Sequence, residues 1–182
     1  MTTSLVVTAI GDDRPGIVNR LSDIAQRFRA NWAASHMASV AGQFAGIVHL
    51  EVADADAEPL IAALRGLDAA GLHVVIAKGA RKAAHEPRRK VRLEIVGHDR
   101  PGIVRDLSGS LAALGVSIDE LNTQIVSAAM SGDHLFKVKV LLAVPNAVAD
   151  AVLRRALEAL ANEMMVDIDP GDGTAATPLT DT

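Results

Sequence analysis

The chain has 182 residues, of which 49% are hydrophobic, and it carries a formal net charge of −4. This length accommodates one ordinary domain or two small ones, and the apolar content excludes wholesale disorder. Only 2% of the residues are aromatic, so direct nucleic-acid binding is not expected of this acidic chain. The absence of cysteine excludes disulfides, thiolate catalysis and cysteine-bound zinc.

The first half of the chain predicts the order strand–helix–strand–strand–helix–strand. The strand-like run Leu5 to Ile10 opens it, and Leu72 to Ala77 closes it. Apolar residues at steps of three and four predict two helices between these runs, and a two-residue alternation predicts a strand between the helices. The first helix stripe is Ile17, Leu21, Ile24, Ala25 and Phe28, the alternating strand residues are Val48, Leu50 and Val52, and the second stripe is Leu60, Ala63, Leu64 and Leu67.

The second half predicts the same order. Its strand-like runs are Val91 to Val96 at the start and about Met164 to Ile168 at the end. The helix stripes are Ile103, Leu107, Leu111 and Leu114, and then Ala149, Val152, Leu153, Ala156 and Leu160. We align the alternating residues Phe136, Val138 and Val140 with Val48, Leu50 and Val52, 88 residues earlier. This alignment predicts two extra residues in a hairpin turn near Ser131 to His134, because an even insertion keeps the strand faces in phase.

A direct repeat ties the two halves together. The segment that starts at Gly11 and reads GDDRPGIV recurs 86 residues later, at Gly97, as GHDRPGIV, with seven of eight positions identical. A repeat of this kind indicates two copies of one supersecondary unit.

The predicted fold class is α+β, with two tandem βαββαβ modules of the ferredoxin-like type. Each module should be an antiparallel four-stranded sheet with two helices on one face. We expect modules at residues 1–79 and 90–169, a basic linker at 80–89, and a flexible tail at 170–182.

The strand faces that point away from the helices should differ between the halves. Val6, Thr8 and Ile10 make this face apolar in the first half, whereas Arg92 and Glu94 make it charged in the second. An apolar outer face predicts that the other half or a second chain covers it, so a homodimer is one expectation.

The repeated loop joins the first strand of each half to its first helix. Pro15 and Pro101 fit the first helical turn, and Gly16 and Gly102 leave room for a ligand to approach the backbone. The free N–H groups of a helix N-terminus favour a carboxylate, and an aspartate could accept from a ligand ammonium. Such a loop suits a small zwitterion, but the same residues also make a good helix start with no ligand at all.

The repeated GxDRPGIV loop in a βαββαβ setting resembles the ACT family of amino-acid-binding regulatory domains. Shorter motifs are similar to the glycine cleavage system transcriptional repressor group within that family. They are Asn31-Trp32, Ser35, Met37, Phe44-Ala45-Gly46, Met130-Ser131-Gly132 and Leu135-Phe136.

This resemblance implies ligand sites near the loop, where modules meet. The implied loop residues are Asp13, Arg14, Gly16 and Ile17 in the first half, and His98, Asp99, Arg100, Gly102 and Ile103 in the second. Opposing contributions would come from Asn31, Ser35, His36 or Asn122. The two sites should differ, because Asp12 would repel a ligand carboxylate, whereas a protonated His98 could pair with one.

The resemblance further implies a protein that senses a small amino acid, with glycine or serine favoured, and modulates a protein partner. The partner would be a transcription factor or an enzyme, which makes a transcription regulator of glycine metabolism one interpretation. The alternatives are a dimerisation or scaffold module that binds no ligand, and a regulatory subunit of a metabolic enzyme.

Catalysis, a cofactor and a metal are not expected. No nucleophile, base and orienting group converge by motif, and the six histidines have no ligand spacing. The basic residues between Lys78 and Arg92 are typical of a solvated linker. The chain lacks a secretory signal pattern and a run of about 18 uncharged apolar residues, so we expect a cytoplasmic protein that does not enter the membrane.

Overall fold

The computed structural model describes residues 1–79, 87–127 and 134–158, and the backbone of one further strand at 164–169. The elements of the first module are β1 (Thr2–Asp12), α1 (Ile17–Arg27), β2 (Asn31–Val40), β3 (Gln43–Ala53), α2 (Asp54–Arg65), a 3-10 turn (Gly66–Ala70) and β4 (Leu72–Lys78). Those of the second module are β5 (Arg88–His98), α3 (Ile103–Ala113), β6 (Ser117–Ser127), β7 (His134–Pro145), α4 (Asp150–Glu158) and β8 (Met164–Asp169).

The chain divides into two units, Met1–Ala83 and Ala84–Thr182. Each unit holds one four-stranded antiparallel sheet, with the strand order β2-β3-β1-β4 in the first and β6-β7-β5-β8 in the second. The order is the same in both, which confirms the predicted α+β class and the tandem βαββαβ architecture.

The alternation in β1 sorts its side chains between the two sheet faces. Leu5, Val7 and Ala9 are at most 1% exposed and face the helices, whereas Thr8 and Ile10 are exposed on the other face. The buried side of the sheet packs with residues of α1 and α2 in one core, including Leu21 and Leu60. One face of each sheet is therefore covered by helices, and the other faces away from them.

The hairpin between β2 and β3 is a tight two-residue turn. Ala41 and Gly42 both have positive φ angles, of 51° and 78°, as the primed turns that suit a twisted hairpin require. The equivalent connection from β6 to β7 is longer. Two residues separate the paired Val40 and Gln43, whereas eight separate the equivalent pair Val126 and Leu135. The six extra residues of the second module therefore lie in this hairpin.

This pairing corrects the predicted alignment of β3 with β7. Phe44 pairs with Gly11, and Phe136 pairs with the equivalent Gly97, so the offset between these strands is 92 residues rather than 88. Val48 therefore corresponds to Val140 and not to Phe136. The error arose because a shift of four residues leaves the alternation in phase, so the apolar pattern alone does not fix the register. Ser131 lies outside the described residues, and His134 is the first residue of β7.

The predicted stripe of α4 also needs correction. The buried residues of this helix are Leu153 and Leu157, whereas Val152 is 45% exposed and Ala149 precedes the helix. Leu153 and Leu157 are four residues apart and share a face. The sequence interpretation included Leu153 correctly, but it omitted Leu157 and included the exposed Val152. The predicted Leu160 lies outside the described residues.

The second module begins earlier than expected. β5 starts at Arg88, so Arg88 and Arg89 are strand residues, although the sequence assigned them to the linker. Their backbones pair with Pro145 and Val144 at the end of β7, which extends the sheet past the apolar run. Residues 80–86 of the expected linker and 170–182 of the expected tail are outside the described part of the chain. Among the described residues, no helix is long and apolar enough to cross a membrane.

Candidate functional site

The repeated loop adopts the same backbone conformation in both modules. Gly16 and Gly102 are the N-cap residues of α1 and α3, with φ angles of 92° and 95°. This left-handed region is costly for residues that carry a Cβ. The backbone conformation of the turn therefore favours glycine, whether or not a ligand approaches it. Pro15 and Pro101 precede the N-cap and are not in the first helical turn, which corrects the prediction from the sequence.

The first turns of α1 and α3 have no side-chain cap. Neither N-cap residue offers a side-chain hydrogen bond, and a Cβ built on Gly16 or Gly102 would meet no atom within 4 Å. The helical ladder starts with the Arg20 N–H donating to the Gly16 carbonyl at 3.0 Å. The N–H groups before Arg20 have no intrahelical acceptor, and together with the positive end of the helix dipole they suit an anionic group.

The β2–β3 hairpin holds the first loop in place. The Ser39 hydroxyl donates to the Asp13 carboxylate at 2.6 Å, and the Gln43 amide donates to the Asp12 carboxylate at 2.7 Å. The Asp13 backbone N–H donates to the Gly42 carbonyl at 2.9 Å. Both aspartates of this loop are therefore anchored to one hairpin tip.

The second loop has the same backbone anchor and different side-chain contacts. The Asp99 N–H donates to the His134 carbonyl at 3.2 Å, at the start of β7. Arg100 forms a salt bridge with Asp106 in the first turn of α3, at 3.1 Å. His98 is exposed at the end of β5.

The two loop arginines consequently differ in electrostatic environment. Arg14 donates to the carbonyl of Ala70, a neutral acceptor, and forms no salt bridge with a carboxylate of the described residues. The position equivalent to Asp106 in the first module is Arg20, and α1 has no acidic residue in its first turn. The first turn of α1 therefore carries no carboxylate, whereas the first turn of α3 carries Asp106.

The predicted strand residues lie away from the loop of their own module. Asn31 pairs with Glu51, near the start of β1, and so lies at the opposite end of the sheet from Asp13. Ser35 and His36 lie in the middle of β2, and Asn122 is the β6 residue equivalent to His36. All four side chains are exposed. The structure does not bring them to their own module's loop.

Ser39 is the β2 residue that does reach Asp13, and the sequence reasoning missed it. Its register position opposite Phe44 places it near the loop. A signal was present, because a two-residue turn at Ala41–Gly42 fixes which residue of β2 lies nearest the end of β1.

An open surface groove with a volume of about 600 Å³ lies at the other end of α1. It is lined by Ser22, Ala25, Gln26, Arg29, Ala30, Asn31 and Trp32. In the second module the Arg88 guanidinium occupies the equivalent corner. It donates to the Gly115 carbonyl, the Ser117 hydroxyl and the Ala143 carbonyl at 3.0–3.2 Å.

Four described residues of the predicted basic cluster are bonded within their own modules, namely Lys78, Arg88, Arg89 and Lys90. Arg89 contacts Asp150 and the Pro145 carbonyl, and Lys90 contacts Asp119. Lys78 bonds Glu58 at 2.9 Å. These four residues lie at the ends of β4 and β5, whereas Arg81 and Lys82 lie outside the described part of the chain. Across residues 1–79, 87–127 and 134–158, no group of three or more His, Cys, Asp or Glu side chains could hold a metal ion.

Residues 3–76 match the family model of the ACT domain. Among curated proteins, no sequence matches the chain. A solved structure of an unknown protein from Galdieria sulphuraria is 28% identical, covers 94% of this chain and 100% of its own, and superposes with a TM-score of 0.82. A candidate glycine cleavage system transcriptional repressor shares the fold at 18% identity, with 94% of this chain and 99% of its own covered and a TM-score of 0.69.

The match to the family model spans the first module, and the second module has the same strand order and the same left-handed glycine in its loop. The first module is therefore similar to the ACT domain, and the second module is a structural repeat of the first.

Proposed function

We propose that this protein is a regulator that binds a small amino acid at the first loop and changes its contact with a protein partner in response. The observation that carries this proposal is the start of α1, where uncapped N–H groups and a glycine without steric neighbours lie beside Arg14. A ligand carboxylate placed there would accept from backbone N–H groups and meet the positive end of the helix dipole.

We favour the first loop as the site for a carboxylate because the first turn of α1 holds no acidic residue. Asp106 lies in the first turn of α3 and pairs with Arg100, so the second loop already contains an anion. In the first module Arg20 takes the place of Asp106. Asp12 adds a negative charge, yet its carboxylate is turned to the Gln43 amide.

The ligand ammonium would bind to Asp13. Its carboxylate accepts one hydrogen bond, from Ser39, and an ionised carboxylate can accept several. A carboxylate site and an ammonium site in one short loop suit a small α-amino acid, with glycine and serine the favoured ligands. At a ceiling of about −1.5 kcal/mol per heavy atom, glycine would bind with micromolar affinity at best.

Regulation requires that the amino acid bind two states of the protein with different affinity. The partner would be a transcription factor or a metabolic enzyme. Glycine metabolism is the favoured context, since one structural relative is a candidate glycine cleavage system transcriptional repressor. We propose a regulatory rather than a catalytic role, in the cytoplasm.

The test is thermal unfolding of the full chain against a panel of free amino acids at millimolar concentration. A ligand at 100 times its dissociation constant should stabilise the protein by about 2.7 kcal/mol. We expect glycine or serine to raise the midpoint, Asp13→Asn to abolish this rise, and the matched control Asp99→Asn to retain it. Because asparagine keeps an acceptor for Ser39, the Asp13→Asn protein should fold normally.

Two outcomes would contradict the proposal. A panel in which no amino acid shifts the midpoint would favour a scaffold module, with the loop serving only to start the helix. A shift that survives Asp13→Asn and disappears in Asp99→Asn would move the site to the second module.

A further inference from the structure

The sheet face of the first module that points away from the helices carries an unusual set of side chains. Three rows of residues cross all four strands on this face, as the strand pairing shows. We call them the outer face of the first sheet: Val75, Thr8, Ile47 and His36 in the central row, His73, Ile10, Ala45 and Ala38 on one side, and Ala77, Val6, His49 and Ala34 on the other.

Large apolar side chains on this face are open to solvent. Val75 is 65% exposed, Ile10 is 49% exposed and Ile47 is 44% exposed. Because they lie in adjacent rows, with Thr8 and alanines between them, they form one continuous patch. Contiguous apolar patches on soluble proteins mark interaction sites far more often than isolated apolar residues do.

The outer face of the first sheet also carries no fixed charge in its three rows. The ionisable side chains there are one histidine per row, and His49 is half-buried and hydrogen-bonded to the Ser4 hydroxyl at 2.7 Å. His73 lies on the edge strand β4, where its Nδ1 is 3.0 Å from the Asp68 carboxylate. Carboxylates occur only in the flanking rows, on Glu51 and Asp12.

The second module shows that the fold does not require an apolar outer face. The residues equivalent to Thr8 and Ile47 are Glu94 and Lys139, which pair with each other across the strands. Glu94 also forms a salt bridge of 2.5 Å with Lys137. A charged face of this kind does not complement the first one, because its charges would lose hydration without gaining partners.

We infer that the outer face of the first sheet binds the same face of a second copy of the chain, to give a two-fold symmetric dimer. A neutral, apolar face is self-complementary, as a two-fold contact demands. Strands about 4.8 Å apart and rows about 6.8 Å apart give the three neutral rows a footprint of about 400 Å² on each face. Two such faces bury about 800 Å², which lies below the standard interface size and predicts a weak dimer with a dissociation constant in the micromolar range.

Analytical ultracentrifugation of the full chain over a range of concentrations tests this inference. We expect a reversible monomer–dimer equilibrium in the wild type. Ile47→Lys and Val75→Lys, made separately, should each raise the dissociation constant by about 100-fold or more, since every dimer would bury two unpaired ammonium groups. The matched control is Val152→Lys on α4, where the valine is 45% exposed, and this variant should dimerise as the wild type does.

Circular dichroism establishes that each variant is folded, and two substitutions on different strands guard against the failure of one. A wild type that is monomeric up to about 100 µM would overturn the inference. So would a dimer that persists unchanged in both folded variants, because its contact would then lie elsewhere. Amino-acid binding is measured separately from the dimer, so neither result depends on the proposed ligand site.

Discussion

Ile47 and Thr8 lie side by side on the outward sheet face of the first module, where the second module has Lys139 and Glu94. On the helix side, by contrast, Leu50 and its equivalent Leu142 are both buried, at 2% and 0% exposure. The βαββαβ fold thus constrains the core side of each sheet and leaves the outer side free to change. The differences between the modules therefore mark positions that the fold leaves free, and the shared buried positions mark what the core requires.

The largest expected effect concerns the shared core. Leu50→Ala and Leu142→Ala should each destabilise their own module by about 2–5 kcal/mol, because each removes a buried side chain and leaves a cavity. Chemical denaturation followed by hydrogen exchange assigns the loss to one module or the other. Equal losses of unfolding free energy would support equivalent cores. A loss below about 1 kcal/mol in only one module would show that the two cores are not equivalent.

A smaller effect is expected at the shared loop glycines. Gly16→Ala and Gly102→Ala should each cost about 1–2 kcal/mol, since alanine is strained at these positive φ angles. No atom lies within 4 Å of the added Cβ, so backbone strain is the only source of this loss. Denaturation midpoints measure it, with Gly109→Ala as a control inside α3, where the glycine also has open space and alanine should stabilise the helix.

The smallest effect separates the modules. Arg88→Ala removes the hydrogen bonds to Gly115, Ser117 and Ala143 and should destabilise the second module by about 1 kcal/mol. The equivalent residue in the first module is Thr2, and Thr2→Ala should leave stability nearly unchanged. Hydrogen exchange at β6 and β7 reports the difference, and similar losses from the two substitutions would argue against a distinct role for Arg88.

The sequence was sufficient to predict the fold because two signals agreed. The direct repeat indicated two copies of one unit, and the helix stripes Ile17–Leu21 and Ile103–Leu107 matched the buried faces. The register of β7 could not be predicted, since an error of four residues preserves the alternation that the prediction used. Strand pairing with β5, a contact between distant parts of the chain, was needed to place Phe136 opposite Gly97.

The candidate site was predictable in position and not in its contacts. The loop residues lie where the repeat placed them, between strand and helix. The sequence could not show that Ser39 would bond Asp13, or that Arg14 and Arg100 would take different acceptors. These contacts depend on the hairpin tip and on the turn before β4, which are remote from the motif in sequence. They also depend on the exchange of Arg20 for Asp106, which lies outside the eight residues of the motif.

The most direct measurement is a titration of the ¹⁵N-labelled full chain with glycine, followed by the backbone amide resonances. We expect saturable shifts of the amides of Gly16, Ile17 and Val18, with the matched amides of Gly102, Ile103 and Val104 changing little. Saturation at Gly102 to Val104 while the first loop stays unchanged would contradict it, as would the absence of any saturable shift with both glycine and serine at millimolar concentration.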